Sequence, residues 1–270
     1  RLTTRFADAS FALGERTWTG RAFAEAEGGA RPLALERPAL SPPLREAAFE
    51  AAGDDESFPK AIPLAVDPDE PSPLALLGNG TLLVGIDLPG ARVAFRAATG
   101  TVQRAAYAEG MLVVAVPRAL KGHSPLDGTV VWEVALDGFA SYLETSRGIV
   151  YALVKASGPG GVRHLLAVDP TKGRVLWTED LGTAEVGRAL VADGDVLLER
   201  VRGDGGPSRA VLEVYDGLAG GKRREIDLPA GRVDREQIVA GPDLLLLGRE
   251  PTGERHIAAV SVATGRARWR

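Results

Sequence analysis

Leu165-Leu166-Ala167-Val168-Asp169-Pro170-Thr171-Lys172-Gly173-Arg174-Val175-Leu176-Trp177 reads as an apolar strand, a tight turn closed by Gly173, and a second strand carrying Trp177 four residues after that glycine. The same glycine-plus-four spacing recurs at Gly128 with Trp132 and at Gly265 with Trp269. Arg224 stands in the tryptophan's place after Gly220, and Arg104 after Gly100. The marks at 132, 177, 224 and 269 lie 45, 47 and 45 residues apart. A period of that size is the signature of a repeated supersecondary unit.

Working outward, the cleanest unit spans 139–181: a strand over Gly148–Lys155, a loop at Gly158–Gly161, a strand over Arg163–Val168, the turn, and the tryptophan strand Arg174–Asp180. Residues 187–228 repeat it with Asp195–Val201, Ala210–Tyr215 and Lys222–Leu228, and residues 238–270 with Leu244–Gly248, Ile257–Val262 and Trp269. Upstream, Leu74–Leu77 and Thr81–Ile86 flank Asn79-Gly80, a pair that supplies the positive φ of a two-residue hairpin turn. Val93–Arg96 and Val102–Tyr107 complete four strands there, which leaves only 28 residues between the marks at 104 and 132. That spacing predicts a three-stranded or distorted unit over Gly110–Leu136. Residues 1–20 hold a faint copy, with Thr4–Phe11 able to alternate and Gly14 four before Trp18. Residues 28–73 are broken by Ser41-Pro42-Pro43 and Asp67-Pro68-Asp69-Glu70-Pro71 and read as an irregular insertion or degenerate blade, with a short helix over Leu44–Ala52.

The 33 glycines and 18 prolines in 270 residues fit many short strands joined by turns, and 45% hydrophobic content suffices for one domain over 1–270. A net charge of −4 supplies no field toward phosphate backbones, so no nucleic-acid partner is expected. The 27 arginines against five lysines are scattered, as a compositional bias would leave them. With no cysteine, disulfides, thiolate metal sites and cysteine nucleophiles are excluded. No run of about 18 apolar residues is present, so no direct membrane insertion by this segment is expected; it reads as a soluble, mature or excised piece.

A four-stranded antiparallel sheet of some 40 residues cannot cover both its faces and must stack on a neighbour; twisted sheets stacked radially close into a propeller. The expectation is an all-β propeller of about six to seven blades, some degenerate, with Trp132, Trp177 and Trp269 filling equivalent pockets between blades. Ala167–Trp177, with Val260–Trp269 and Asp127–Trp132 as partial copies, resembles the pyrroloquinoline-quinone-like (PQQ-like) propeller repeat, and the resemblance covers residues 74–270 and, faintly, 1–20. Similar repeats occur in quinoprotein alcohol dehydrogenases, in the propeller lipoprotein of outer-membrane β-barrel assembly, and in extracytoplasmic sensor domains of bacterial kinases. The resemblance implies the fold far more specifically than an activity.

The residues themselves carry little catalytic grouping. His164 and His256 each precede their unit's glycine by nine, Val211 occupies the intervening equivalent, and His123 sits at another phase, so surface or strand-edge histidines are expected and not metal ligands. A quinone with calcium would need a funnel of carboxylates, an amide and an aromatic platform. Asp169 and Asp216 each precede their glycine by four, but Ser124 and Ser261 fill that place in two other units, which points to turn capping. The acidic group Asp54, Asp55 and Glu56, and the later Asp67, Asp69 and Glu70, lack a calcium-loop pattern and read as solvated loop. The glycine-rich loops 158–161 and 203–206 precede strands and not helices, so no phosphate cradle is expected. No catalytic, cofactor-binding or metal-binding residue is therefore assigned, and no cofactor is expected. The expectation is a non-catalytic scaffold that binds other proteins through rim loops, in a bacterial envelope assembly and a periplasmic or extracytoplasmic setting. The alternatives are a divergent PQQ-dependent quinoprotein dehydrogenase, favoured by two or more funnel carboxylates, and a ligand-sensing propeller.

Overall fold

The computed structural model describes residues 3–5, 8–13, 16–20 and 60–269, apart from 67–69, 71, 79–81, 91, 159, 184–185, 193, 203–208, 228–231, 241–242 and 250–254. Every regular element among them is a β-strand. The short helix expected over Leu44–Ala52 lies outside the described residues, as do the acidic residues 54–56 and the loop 203–206.

Near the N-terminus β1 (Thr3–Arg5), β2 (Asp8–Leu13) and β3 (Arg16–Gly20) form a three-stranded antiparallel sheet, so the faint first copy holds two hairpins where one strand was expected. The next sheet is ordered β4 (Lys60–Ala61), β6 (Leu74–Gly78), β7 (Leu82–Asp87), β8 (Arg92–Ala98). The third combines β9 (Arg104–Ala108), β10 (Met111–Val116), β11 (Ala119–His123) and β12 (Val130–Ala135), with β5 (Leu64–Val66) added beside β9. Three four-stranded sheets follow, each in chain order: β13 (Gly138–Ser146) to β16 (Arg174–Gly182) through β14 (Ile149–Ala156) and β15 (Arg163–Asp169); then β17 (Val186–Ala192), β18 (Asp195–Arg202), β19 (Arg209–Asp216) and β20 (Lys222–Asp227); then β21 (Arg232–Ala240), β22 (Asp243–Arg249), β23 (Arg255–Ser261) and β24 (Ala267–Trp269). The described chain separates into two compact units, residues 1–158 with 168–176, and residues 159–167 with 177–270.

Burial follows strand position. The middle strands β10 (Met-Leu-Val-Val-Ala-Val) and β14 (Ile-Val-Tyr-Ala-Leu-Val) are buried on both faces, whereas β12 and β16 alternate between exposed and half-buried. A continuous apolar run is what a strand covered on both faces requires, and the mixed text of Val130–Ala135 is what a covering edge strand tolerates. In the first unit Leu76, Leu83, Phe95, Tyr107, Leu112 and Val114 belong to one core cluster joining the β4–β8 and β9–β12 sheets. In the second, Leu197, Leu212, Val214, Ile226 and Val260 do the same for the last two sheets.

The structure corrects the sequence register between 95 and 136. Arg104 is not a tryptophan equivalent: it opens β9, with its exposed guanidinium donating to the Gln103 carbonyl at 2.8 Å. Strand β9 turns directly into β10 through Glu109 (φ 50°) and Gly110 (φ 70°), the paired positive angles of a type I′ hairpin. Residues 104–135 thus form a full four-stranded set and not a shortened one. The residue that takes the tryptophan's role upstream is Phe95, opposite Gly85 on β7 as Trp132 is opposite Gly122 on β11.

Equivalent contacts tie each sheet to the turn of the next. A Cβ on Gly128 would lie 2.4 Å from the Phe95 ring, one on Gly173 2.5 Å from Trp132, and one on Gly220 3.0 Å from Trp177. Gly265 meets Ile226 at 3.1 Å, so Ile226, two residues beyond Arg224 on the same face of β20, supplies the packing that Arg224 does not. Each of these glycines is also left-handed, at 72°, 64°, 74° and 68°. Glycine is thus required twice over, for its φ and for the missing Cβ. Gly100, at φ 80°, has nothing within 4 Å of its would-be Cβ and stands outside the series. We expect Gly173→Ala to destabilise the protein by about 3 kcal/mol or more, and Gly100→Ala by only about 1 kcal/mol, the φ cost alone. Urea unfolding of the two variants checks this, and equal losses would remove the ring contact from the account.

Candidate functional site

The turns built on that glycine share one hydrogen-bond scheme. The glycine N–H donates to the carbonyl of the residue four before it: Gly128 to Ser124 at 2.9 Å, Gly173 to Asp169 at 2.9 Å, Gly220 to Asp216 at 2.9 Å and Gly265 to Ser261 at 2.8 Å. The side chain at that earlier position then collects the free N–H groups of the turn. Asp169 Oδ1 accepts from Thr171 N at 3.0 Å, Thr171 Oγ1 at 2.7 Å and Lys172 N at 3.3 Å, while Asp216 Oδ1 accepts from Leu218 N at 2.8 Å and Ala219 N at 2.9 Å. Ser124 and Ser261 do the same more weakly, at 3.4 and 3.3 Å. Hydrogen bonding holds both carboxyls below their usual range, led by Thr171 for Asp169 and by the Ala219 backbone for Asp216. Both aspartates are turn caps, as their spacing implies.

Two of these turns hold a leucine out to solvent. Leu126 is 84% exposed and Leu218 66% exposed, each two residues before its glycine. Beside the Leu126 turn a cavity of about 420 Å³ is walled by Pro73, Leu74, Val93, Ala94 and Pro125, with Tyr107 and the Asp87–Arg92 pair as its polar lining. Burial, followed by the charge of Glu70, raises the Tyr107 hydroxyl above its ordinary value. Exposed apolar side chains beside a cavity that mixes apolar walls with a few polar groups are the usual makings of a contact surface.

The histidines depart from expectation at one position. His123 is wholly buried, 0% exposed, with Nδ1 2.9 Å from the Gly128 carbonyl, so it braces the turn from beneath. Nε2 has no hydrogen-bond partner, and burial, more than the nearby Lys121, lowers the ring's pKa and keeps it neutral. A histidine at the end of β11, opposite Leu112, faces the core cluster; the phase argument placed it at the surface or a strand edge because it ignored that pairing. His164 is half-buried on β15, and the side chain of His256 lies outside the described residues. Among the described residues no three His, Cys, Asp or Glu side chains converge as metal ligands.

Sequence reasoning missed three ionisable features. Glu70, read as part of a solvated acidic run, accepts the backbone N–H groups of Glu109 at 2.7 Å and Gly110 at 2.9 Å, and so caps the β9–β10 hairpin. Glu213, only 5% exposed, is gripped by Tyr215 Oη at 2.9 Å, Lys222 Nζ at 3.2 Å and Arg200 Nε at 3.7 Å. Glu144 on β13 is half-buried with the Tyr142 hydroxyl as its side-chain partner, and burial raises its pKa to about 7. Only Glu213 carried a faint signal, a charge inside the otherwise apolar run Ala210–Tyr215.

Repeated four-stranded antiparallel sheets, each fastened to the next turn, are the architecture of a β-propeller, and the likeness to solved structures bears out that fold class. The chain is similar to BamB from Moraxella catarrhalis, at 16% identity over 79% of this chain and 64% of that one, TM-score 0.51. It is similar to Kuenenia stuttgartiensis hydrazine synthase at 12% identity over 76% and 64%, TM-score 0.52, and to a europium-containing methanol dehydrogenase at 11% over 77% and 49%, TM-score 0.54. All three are PQQ-like propeller proteins. At these identities the likeness carries the fold alone. The chain spans less than two thirds of each of them. No family model matches it, and no curated protein does.

The same fold family raises the question of a quinone held over a cation. Among the described residues the donors do not fit one: Asp169 and Asp216 are spent on their turns, and no three His, Cys, Asp or Glu side chains converge. No helix among the described residues is long and apolar enough to cross a membrane.

Proposed function

We propose that this chain is a non-catalytic propeller scaffold, a single domain over 1–270 that binds partner proteins through its turns and works in an extracytoplasmic bacterial assembly. The observation that carries the reading is Leu126, 84% exposed on a turn closed by the Gly128-to-Ser124 backbone hydrogen bond and lining the rim of a cavity with both apolar and charged walls. The Gly128-to-Ser124 and His123–Gly128 hydrogen bonds hold the backbone of the turn that presents Leu126 at the surface. The likeness to BamB supports a scaffold, and the likeness to a methanol dehydrogenase supports the dehydrogenase alternative. The spent carboxylates at 169 and 216 favour the former.

The test has two arms. Thermal unfolding with and without pyrroloquinoline quinone plus calcium is expected to show no change in midpoint, because a ligand of the native state at 100 times its dissociation constant would add about 2.7 kcal/mol. A clear rise would return the dehydrogenase. In the second arm, a photo-crosslinker at position 126 is expected to give one discrete adduct in envelope extracts of the source cell, and none when placed at exposed Arg147. Absence of any adduct at 126 would count against the scaffold.

A further inference from the structure

The cavity beside the Leu126 turn lies wholly within the first compact unit, bordered by the start of β6, the turn and first residues leading into β8, the end of β9 and the β11–β12 turn. Most of its wall is apolar, and its polar groups are unevenly spent. Tyr107 is only 7% exposed, yet its hydroxyl has no hydrogen-bond partner among the described residues. A buried hydroxyl is costly to leave unpaired, and this one lines a space that a ligand atom can enter. Arg92 engages Asp87 through Nε alone, at 3.5 Å, and its two terminal nitrogens have no partner among the described residues. Gly90 lets that pair close across its turn, since a Cβ there would run into Asp87 Oδ2 and Arg92 Nε. The order of exposure sets the sign of the charge that the rim offers: the Arg92 side chain is 78% exposed and that of Asp87 26%, so an incoming group meets the guanidinium first. The nearby acids are already matched, Asp87 by Arg92 Nε and Glu70 by the backbone N–H groups of Glu109 and Gly110. What remains unsatisfied is a set of donors, the Arg92 terminal N–H groups and the Tyr107 O–H, beside an apolar wall. A carboxylate on an apolar body answers both.

We infer that this cavity receives the apolar carboxyl terminus of a partner chain, with the carboxylate on Arg92 and Tyr107 and the last side chain against Leu74, Val93 and Leu126. The inference rests on the scaffold reading and supplies the chemistry that the Leu126 surface recognises. A volume of about 420 Å³ is at the low end of the roughly 300–1,000 Å³ of pockets that enclose a ligand, room for one or two residues and not for a chain running through. A chain end meets that limit because its carboxylate sits on the last apolar residue itself. An internal aspartate or glutamate would bring two flanking segments to the same opening.

Amide NMR of the full chain, titrated with acetyl-leucyl-leucine, tests this. Saturable shifts are expected at Arg92, Tyr107 and Leu126. Acetyl-leucyl-leucinamide should bind about tenfold more weakly or worse, because it forfeits the charge-assisted hydrogen bonds, and Arg92→Gln should cost the acid a similar factor while leaving the amide unchanged. Tyr107→Phe, which keeps the ring in its core cluster, should weaken the acid a few-fold. Equal binding of acid and amide, no binding of the acid, or undiminished binding by Arg92→Gln would overturn the inference. Octanoate, or a leucyl-glutamyl-leucine peptide blocked at both ends, binding as tightly as the acid would overturn the chain end in favour of a free carboxylic acid or an internal acidic residue. The crosslinker at position 126 separates the two readings. An adduct there that survives Arg92→Gln, with no acid bound, sinks the carboxylate site and keeps the scaffold, whereas acid binding at these residues without any adduct supports the site and sinks the scaffold.

Discussion

Trp132→Ala is expected to lower the unfolding free energy by about 3 kcal/mol, the lower end of the range for deleting a packed aromatic side chain because Trp132 is only half-buried. Two losses combine. The ring fills the space between Gly122, its cross-strand partner, and Gly173 on the following turn, and its removal leaves both glycines facing a void. Its Nε1–H also donates to the Pro170 carbonyl at 2.7 Å, so the acceptor on the neighbouring turn loses a partner as well. Trp132→Phe should recover most of the packing but not the hydrogen bond, at a residual cost of about 1 kcal/mol. Urea midpoints for wild type and both variants separate the two contributions. A loss under about 1 kcal/mol in Trp132→Ala would show that the sheets hold together without the ring. The same pair of interactions recurs at Trp177, whose Nε1 donates to the Gly217 carbonyl at 3.0 Å.

Glu213→Ala should cost a similar amount, about 3 kcal/mol, for an electrostatic reason. The carboxylate compensates Arg200, whose Nη2 donates to the Leu181 carbonyl at 3.0 Å while Nη1 is buried without a hydrogen bond. Removing it strands a cation in the protein interior, the costly half of breaking a buried pair. Lys222 suffers less because it also reaches Glu225 at 3.5 Å and is more exposed. The acid response identifies the mechanism. Burial alone would raise the Glu213 pKa, but the Tyr215 hydroxyl, Lys222 and Arg200 outweigh it and set the folded value below 4.5. Its contribution is therefore present above pH 4.5 and lost as pH falls through the lowered folded value. Unfolding at pH 7 and at pH 3 should show the gap between wild type and Glu213→Ala narrowing in acid. An unchanged gap would assign the loss to packing.

How much of this was legible follows from how local each signal is. The glycine-plus-four turn is spelled within five residues, and the Asp or Ser cap lies four before it, so both could be read without any neighbour. The type I′ turns at Glu109-Gly110 and Arg147-Gly148 could not, since each begins with a residue that gives no turn signal and enters positive φ only because the flanking strands pair. Strands β9 and β13 were mis-set or missed for that reason, and Arg104 was mistaken for a repeat mark. Phe95 escaped because its nearest preceding glycine, Gly90, is five residues away. The parallel addition of β5 to β9 joins residues about 40 apart with no intervening pattern, and the burial of His123 and Glu144 is a property of stacked sheets that no single strand records.

The docking of each outer-strand side chain on the following turn also imposes a timetable on synthesis. Phe95 has no seat until Gly128 has been made, nor Trp132 until Gly173, Trp177 until Gly220, or Ile226 until Gly265. A ribosome adding about 5–20 residues per second leaves each large apolar side chain uncovered for roughly 2–8 seconds. The exposed surface is handed from one unit to the next as the chain emerges, so a growing chain would always show a holdase chaperone one freshly made, unseated strand.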